Sequence, residues 1–329
     1  MTPEERSLGV GASVLLTAVP RDEGGRALDR PVRWESSHPE RAPVDSVGRV
    51  HGLEAGGVVI TASSQGVVGR AQIEVLQFAS LTAGGGHTCG LTVEGTAYCW
   101  GWGPFGQLGN GGTDDESTPV PVAGEHAFAT ISAAGGAHTC ALTREGGAYC
   151  WGQGELGQLV RAVSGSGDGP AHSAVPLAVS EELTFTSLSS GGLHTCGLAG
   201  GGEAYCWGHG GYGQVGDGHL RDRFEPVSVV AGREYSNISA GGLHTCGVTP
   251  AGEAHCRGHG EFGQVGDGGE DDRWVPAPVG GGMVLSSLTA GGRHTCGMCR
   301  EGRAYCWGWG HDGQLGNGST ADRVLPGPV

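Results

Sequence analysis

The sequence has no lysine and little positive charge of any kind, which excludes several classes of function. Its 19 basic residues are all arginines and stand against 34 acidic residues, giving a formal net charge of -15. Nucleic-acid binding requires a basic face that meets phosphates, and an anionic membrane surface attracts basic segments. We therefore expect neither nucleic acid nor an anionic bilayer as a partner.

Long apolar runs and helical periodicity are also missing. No stretch of 18 apolar residues is present, so we expect no membrane insertion by a helix. No repeat copy offers ten glycine-free residues with a 3.6-residue period, which argues against helices. Glycine is abundant instead, at 68 of 329 residues, and the 11 cysteines and 8 tryptophans recur in register with it.

The chain contains five copies of one repeat, from about residue 80 to its end. His-Thr-Cys begins at His87, His138, His194, His244 and His294. Each copy continues, loosely, with Leu-Thr-x-x-Gly, Ala-Tyr-Cys-Trp-Gly, Gly-Gln-Leu-Gly-Asn-Gly and a Pro-Val segment. A period near 50 residues, built from short strand-like runs and glycine turns, is typical of propeller blades or stacked β units.

Each copy predicts a β-hairpin whose register can be derived. If residues 93–95 form the loop with Gly95 in the left-handed conformation, Leu91 lies opposite Ala97 and Cys89 opposite Cys99. Side chains alternate between faces, so Tyr98 lies on the other face and would cover the bare Gly90. The loop glycine recurs as Gly146, Gly202, Gly252 and Gly302, and the bare glycine as Gly197, Gly247 and Gly297.

The same register places two cysteines of each copy directly opposite one another, at a separation that suits a disulfide. The pairs are Cys89/Cys99, Cys140/Cys150, Cys196/Cys206, Cys246/Cys256 and Cys296/Cys306. Five such disulfides would indicate an oxidising address: extracellular, periplasmic or at the cell surface. Two alternatives stay open, namely plain buried thiols and zinc held by His87, Cys89 and Cys99, although no fourth ligand recurs in register.

The eleventh cysteine, Cys299, forms Cys296-x-x-Cys299, and we expect a free or reshuffled thiol rather than a redox motif, because this spacing lies on a strand. The first six residues are charged and lack the apolar core of a secretion signal. Five disulfides would require export to an oxidising compartment, which conflicts with the missing secretion signal. We therefore expect the natural chain to start further upstream and this one to be truncated at its N-terminus.

The repeat resembles the regulator of chromosome condensation family, through His-Thr, Leu-Thr-x-x-Gly, Tyr-x-Trp-Gly and Gly-Gln-Leu-Gly. That family forms β-propellers, typically with seven four-stranded blades, so the resemblance implies five blades that close a ring or form an arc of a larger one. Arg257 and His255 depart from it, since they replace the blade tryptophan and tyrosine, and copy two inserts a loop at Val160–Pro170. A photoreceptor of the family uses tryptophan where this chain has Gly292 and its equivalents, so photoreception is disfavoured.

Residues 8–76 resemble another family, the group 2 bacterial Ig-like domain. The matching segments are Val32–Ser37, Val44–Val50, Leu53–Gly56 and Ile60–Ala62. Their short apolar-polar alternations, separated by Gly, Pro and Asp, also indicate a β-sandwich, with Trp34 as a core anchor. We therefore predict an all-β chain with a bacterial Ig-like sandwich at 1–77 and five propeller blades at 78–329.

Familiar catalytic motifs are absent from the sequence. G-x-G-x-x-G occurs once per copy, for example at Gly101, but no helix can open after it, so a dinucleotide site is rejected. The repeated histidines are expected to form structural hydrogen bonds. We predict no cofactor and no metal, although loop histidines such as His209 and acidic loops at 114–116 and 270–272 could in principle bind cations.

These inferences predict a non-enzymatic extracellular or surface scaffold whose propeller loops bind a protein or glycan partner, because recognition usually lies in loops on a rigid scaffold. The candidate contacts are aromatic residues in equivalent inter-strand loops: Trp102, Phe105, Tyr212, Phe262 and Trp309. Simple packing between blades is their other possible role. The alternative function is guanine-nucleotide exchange on a small GTPase, which the family resemblance implies.

Overall fold

The alternating segments near the N-terminus form a sandwich of short strands. The computed structural model describes residues 2, 5–133, 135–160, 171–230 and 232–329, and its first compact unit comprises Met1–Ser80, Thr92–Glu94 and Glu116–Val120. The six strands are β1 (Glu5–Gly9), β2 (Ser13–Leu15), β3 (Arg33–Ser36), β4 (Arg49–His51), β5 (Gly56–Ser64) and β6 (Val67–Leu76). One sheet has the order β1-β6-β5-β3, with β1 parallel to β6, and β2 pairs with β4.

The sandwich core consists of the inward-facing residues of this alternation, such as Leu16, Ile60 and Ile73. Trp34 is partly buried and packs against that cluster. Gly48 has a φ of +90°, and a Cβ there would lie 2.6 Å from the Trp34 ring. Trp34 thus has the structural role that the sequence predicts.

The five repeat copies form five four-stranded antiparallel sheets, or blades, whose strands we call A to D in chain order. The blade 1 strands are β7 (Phe78–Ala83), β8 (His87–Thr92), β9 (Ala97–Gly101) and β10 (Glu116–Pro121). Those of blade 2 are β11 (Phe128–Ala133), β12 (His138–Thr143), β13 (Ala148–Gln153) and β14 (His172–Ala178). Blade 3 has β15 (Phe185–Ser190), β16 (His194–Ala199), β17 (Ala204–Gly208) and β18 (Arg223–Ser228). Blade 4 has β19 (Asn237–Ala240), β20 (His244–Val248), β21 (Ala254–Gly258) and β22 (Arg273–Pro278), and blade 5 has β23 (Leu285–Ala290), β24 (His294–Cys299), β25 (Ala304–Gly308) and β26 (Arg323–Pro328). Strands are hydrogen-bonded in the order A-B-C-D within each blade. The predicted all-β fold is confirmed.

The B–C hairpin has the derived register. Leu91 pairs with Ala97, Cys89 with Cys99 and Gly90 with Tyr98. Gly95 has a φ of +93°, and the equivalent glycines of the other four blades also have positive φ. A left-handed glycine in this turn is what fixes the register, since a one-residue slip would turn every side chain to the other face.

The packing prediction is wrong in blades 3 to 5, and for Tyr98 over Gly90 it stays a prediction. In these three blades the space over the bare glycine is filled from strand A or the residues just before it, and the cross-strand side chain is not the nearest contact. A Cβ on Gly197 would meet Phe185 at 2.5 Å, one on Gly247 would meet Tyr235, and one on Gly297 would meet Leu285. The hairpin register could not reveal this, because the filler comes from a third segment of the blade.

Neighbouring blades approach closely at the A–B turns, where only glycine fits. Gly192 N donates to Gly241 O at 2.9 Å, and Gly242 N donates to Gly291 O at 3.1 Å. At the end of this series, a Cβ on Gly292 would meet nothing within 4 Å. In blade 1, Thr88 is partly exposed, whereas its equivalents in the later blades are fully buried. These exposures indicate that blades 1 and 5 do not bury these faces against one another.

The predicted loop insertion at 160–170 lies outside the described residues except for Val160. Among those described, no helix is long and apolar enough to cross a bilayer. The proposed boundary between residues 77 and 78 falls directly before β7 and stays a prediction.

Candidate functional site

The five candidate aromatic residues lie in the C–D loops, at two positions of the repeat. The first position directly follows strand C, except in blade 2, where it is the last residue of β13, and the second lies three residues later. The first position holds Trp102, Gln153, His209, His259 and Trp309, and the second holds Phe105, Leu156, Tyr212, Phe262 and Asp312. The loops of blades 1, 3, 4 and 5 share one construction, while the side chains they present vary from blade to blade.

The same local hydrogen bonds fix the loops of blades 1, 3, 4 and 5, as blade 3 illustrates. Gly208 ends strand C with a φ of +101°. A Cβ there would lie 2.7 Å from the His194 Cα, so this position requires glycine. Asp222 Oδ1 accepts from Gly210 N at 3.0 Å. Gln214 is buried, and its Oε1 accepts from Tyr212 N at 3.1 Å. Such a loop presents its side chains from a rigid backbone.

The acidic loops considered as cation sites take part in the same construction. Asp115 Oδ1 accepts from Gly103 N, and Asp272 Oδ1 accepts from Gly260 N, both at 2.9 Å. Asp267 pairs with Arg273 at 2.6 Å. Among the residues that the structure describes, no group of three His, Cys, Asp or Glu side chains could hold a metal ion.

Two loop histidines are oriented by the buried glutamine of their own loop. Gln214 Nε2 donates to His209 Nδ1 at 2.7 Å, and Gln264 Nε2 donates to His259 Nδ1 at 3.0 Å. Their Nε2 atoms face carboxylates, Asp222 at 3.9 Å and Glu261 at 3.4 Å. Sequence reasoning missed this role. Its signal is a histidine five residues before the repeat glutamine.

Aromatic rings form a continuous chain across the loops of blades 3 to 5, which we call the aromatic belt. It consists of His209, Tyr212, His259, Phe262, Trp309 and His311. Within a blade, ring centroids are 5.8 Å apart for His209–Tyr212, 6.0 Å for His259–Phe262 and 5.9 Å for Trp309–His311. Between blades the chain continues from Tyr212 to His259 at 4.7 Å and from Phe262 to Trp309 at 6.3 Å.

An arginine completes the belt at blade 5. The Arg293 guanidinium lies 5.1 Å from the Phe262 centroid and 5.5 Å from that of Trp309, within cation–π range. Arg293 and His311 are exposed, while Tyr212, Phe262 and Trp309 are each partly buried. The belt rings therefore pack across blade boundaries and still present surface to solvent.

The structure does not bring all five candidates together. Trp102 and Phe105 form a separate pair in blade 1, with ring centroids 5.4 Å apart. In blade 2, Gln153 and Leu156 occupy the two positions and interrupt the aromatic series. Whether any of the five binds a partner stays a prediction.

Inside the array of five blades, hydrogen bonds between the repeated His and Thr link each blade to the next. His87 Nε2 lies 2.8 Å from Thr139 Oγ1, and Thr139 Oγ1 in turn donates to Gln107 O at 3.0 Å. Because the hydroxyl proton is used on Gln107, the imidazole must donate through Nε2. The same His-Thr pair joins His138 to Thr195, His194 to Thr245 and His244 to Thr295.

Burial keeps these histidines neutral. It lowers the pKa of His87 to about 4 and the pKa values of His138 and His244 to about 3. Burial also holds the pKa of His194 well below 6.5. With pKa values this low, these histidines are not suited to proton transfer near neutral pH. Their contacts fit the structural hydrogen bonding that the sequence predicts.

The facing cysteines of all five blades lie within bonding distance. The structure contains the disulfides Cys89–Cys99, Cys140–Cys150, Cys196–Cys206, Cys246–Cys256 and Cys296–Cys306. Cys299 is free and buried. With their sulfurs paired, the cysteines are not available for the zinc alternative.

Comparison with known proteins identifies both parts of the chain. The RCC1-like domain model matches residues 47–329, and the bacterial Ig-like domain (group 2) matches residues 1–75. The ultraviolet-B receptor UVR8 of Arabidopsis thaliana is 36% identical over 159 residues, which are 47% of this chain and 35% of the receptor. The human E3 ubiquitin-protein ligase HERC2 is 33% identical over 144 residues, 43% of this chain and 3% of the ligase.

Two solved structures share the fold. Human WBSCR16 superposes with a TM-score of 0.68 at 16% identity, over 84% of this chain and 79% of that one. Yeast RCC1 (Prp20), solved bound to Kap60, gives a TM-score of 0.67 at 18% identity, over 84% and 73% of the two chains. At these identities the likeness concerns the fold alone. The chain spans about a third or less of the two curated relatives named above.

Proposed function

We propose, because this chain belongs to the family of RCC1-like domains, that it is a non-enzymatic binding scaffold whose propeller loops engage a protein or glycan partner outside the cell. The observation that carries the proposal is the aromatic belt. Six rings and one arginine are held on rigid loops of three consecutive blades and keep part of their surface in solvent. Binding hot spots are enriched in tryptophan, tyrosine and arginine.

The chemistry of the belt suits planar or apolar partner groups. Trp309 and Phe262 offer ring faces, and Arg293 adds a cation above them. Aromatic faces stack on side chains of a protein and equally on the apolar face of a sugar ring. The formal net charge of -15 repels anionic partners, except close to the positive charge of Arg293.

An address outside the reducing cytosol is part of the proposal. Five disulfides would be unusual in a cytosolic protein, and the group 2 Ig-like match is compatible with a surface protein. Thiol counting on the denatured natural protein tests this directly. We expect one reactive thiol, that of Cys299, whereas eleven would place the chain in a reducing compartment.

Binding is tested with the full chain on a printed glycan array and, for protein partners, by photo-crosslinking from Tyr212→p-benzoylphenylalanine. Any partner found is then titrated against Trp309→Ala, Phe262→Ala and the control Val284→Ala, which truncates an exposed residue outside the belt. We expect at least tenfold weaker binding for the two belt variants only. Equal affinities for all three variants would remove the belt from the proposal.

Guanine-nucleotide exchange remains the alternative function, and its support is the fold shared with yeast RCC1. No residue of the belt favours it specifically. Release of a fluorescent guanine nucleotide from the small GTPase Ran, accelerated by the full chain, would replace the binding-scaffold proposal with this one.

A further inference from the structure

At each interface between blades, one buried side chain from strand C of the following blade lies near the disulfide of the preceding blade. Trp151 packs with Cys89 and Cys99, Trp207 with Cys140 and Cys150, and Trp307 with Cys246 and Cys256. Each of these indoles donates to the repeat glutamine carbonyl of the preceding blade at 2.9 to 3.0 Å. At three interfaces an apolar ring therefore belongs to the same buried cluster as the two cysteines of the disulfide.

The interface between blades 3 and 4 has an arginine in this place. Arg257 is fully buried, and its Nε donates to Gln214 O at 3.1 Å, as the indoles do. Its Nη2 reaches further, to 3.0 Å from Cys206 Sγ and 3.7 Å from Cys196 Sγ. A cation thus lies directly on one disulfide of five.

The Arg257 charge is poorly compensated in the oxidised protein. Burial lowers the pKa of Arg257 only to about 10, so the guanidinium is charged at neutral pH. No carboxylate of the described chain contributes to its electrostatics. Nη1 has no hydrogen-bond partner among the described residues, and neither does the buried hydroxyl of nearby Tyr235. A disulfide sulfur is a weak acceptor, so this site would gain most from an anion.

We propose that Arg257 makes Cys196–Cys206 the preferentially reducible disulfide of the array, its guanidinium pairing with the Cys206 thiolate in the reduced form. With a dithiol reductant, the reductant's two sulfurs join and the Cys196–Cys206 bond breaks. The two electrons pass to the protein sulfurs. Of the two reductant protons, one goes to Cys196 and one is released, which leaves Cys206 as the thiolate.

The physical reason is that stabilising the reduced form raises the reduction potential, as a nearby cation does for a thiolate. The sibling disulfides beneath Trp207 and Trp307 lack this cation and should reduce to two neutral thiols. Both sulfurs at blade 3 are fully buried. Exchange therefore requires opening of the interface, and the property concerns an equilibrium rather than a rate.

The experiment is a redox titration of the full chain in mixtures of reduced and oxidised dithiothreitol, approached from both directions. Acid quenching, differential alkylation and peptide mass spectrometry give the reduced fraction of each pair. We expect Cys196–Cys206 to reach half reduction at a reduced-to-oxidised ratio at least tenfold lower than Cys140–Cys150 or Cys246–Cys256, about 30 mV. Arg257→Trp, which restores the residue of the other blades, should bring it within threefold of them.

The pH dependence gives a second readout that packing alone would not move. Release of one proton makes the exchange constant of Cys196–Cys206 rise about tenfold per pH unit between pH 6 and 8, while the siblings stay flat. The titratable groups facing this site are His194, His255 and Tyr235, and the pKa values of all three are shifted away from the range of pH 6 to 8. Burial lowers the pKa values of His194 and His255 and raises that of Tyr235.

An equal or higher ratio for Cys196–Cys206 than for its siblings would overturn the proposal, as would an unchanged ratio in Arg257→Trp. If Arg257→Trp fails to fold, Arg257→Gln removes the charge with a smaller change of shape and should have the same effect. If reduction of one pair unfolds the blades so that all pairs titrate together, no pair is preferentially reducible and the proposal is overturned. Where Cys196–Cys206 titrates separately, a flat pH slope in the wild type would contradict a stabilised thiolate.

Discussion

The interior of the blade array and its loop face differ in what the repeat preserves. Inside, three of the four blade interfaces have a tryptophan in the buried cluster that contains a disulfide. In each of the three, the indole N–H donates to the carbonyl of the repeat glutamine. On the loop face the backbone construction recurs, but the side chains change from Trp102 to Gln153, His209 and His259. The comparison teaches that the shared interior specifies the fold, while the loop face, where the copies differ, is the surface to which we assign recognition in our proposal. Arg257 and His255 are exceptions, since both are buried and both differ from the other copies.

The largest expected effect is on the interior side of this comparison. Trp207→Ala should lower the free energy of unfolding by about 3–5 kcal/mol, because a fully buried indole and its hydrogen bond to Gln158 O are lost. Urea unfolding of the full oxidised chain measures this. A loss below about 1 kcal/mol would mean that the interface relaxes around the cavity and that the interior is less specific than we describe.

Acid should weaken the same interfaces. The folded pKa values of His87, His138 and His244, about 3 to 4, lie below the ordinary value of 6.5. The unfolded chain therefore binds more protons between these limits, and stability present above pH 6.5 is lost as pH falls toward 4. The slope approaches about 1.4 kcal/mol per pH unit for each histidine.

Urea unfolding at pH 7.5, 6, 5 and 4.5 tests the acid prediction. His138→Gln is the matched variant, since a glutamine can still donate to Thr195 but does not titrate. Its unfolding free energy should depend less on pH than that of the wild type, and an identical dependence would exclude His138 as a source.

Arg257→Trp should raise the free energy of unfolding, whereas Trp207→Ala lowers it, and the change should be smaller. Replacing a buried, incompletely paired cation by a well-packed apolar side chain is often stabilising. Gly216 stands beside Arg257 as Gly109 and Gly266 stand beside their indoles, so the slot has the backbone that a tryptophan requires. We expect a gain of about 1–2 kcal/mol in the free energy of unfolding. A loss of that size would show that Tyr235 and His255 have made the slot specific for arginine.

The smallest expected change in stability is at the belt. Trp309→Ala should cost less than about 2 kcal/mol, because Trp309 is only partly buried and lies in a loop. Trp102→Ala, at the same repeat position in blade 1, is the matched control. If Trp309→Ala instead destabilised the array as much as Trp207→Ala, the belt would be part of the interior and its main role would be packing between blades.

Much of the interior could be predicted from sequence because it depends on local geometry. The Gly95 turn sets the hairpin register, and that register places Cys89 opposite Cys99. The filler over Gly197 could not be predicted, since Phe185 comes from a strand whose register the hairpin does not determine.

The same limit applies to the candidate site. Tyr212 and Phe262 were recognisable as loop aromatics. The contact of Tyr212 with His259, however, depends on how neighbouring blades are stacked, and spacing along the chain does not contain that information.

Oxidative footprinting tests the central claim, that the belt of blades 3 to 5 is the binding face, most directly. Hydroxyl-radical oxidation of the full chain, alone and saturated with its partner, is read by mass spectrometry at Trp309, His311 and Trp102. Exposed Met298 serves as a residue outside the belt. We expect protection of Trp309 and His311 of at least fivefold, with the oxidation of Trp102 and Met298 unchanged. Protection at Met298 with none at Trp309 and His311 would contradict the account.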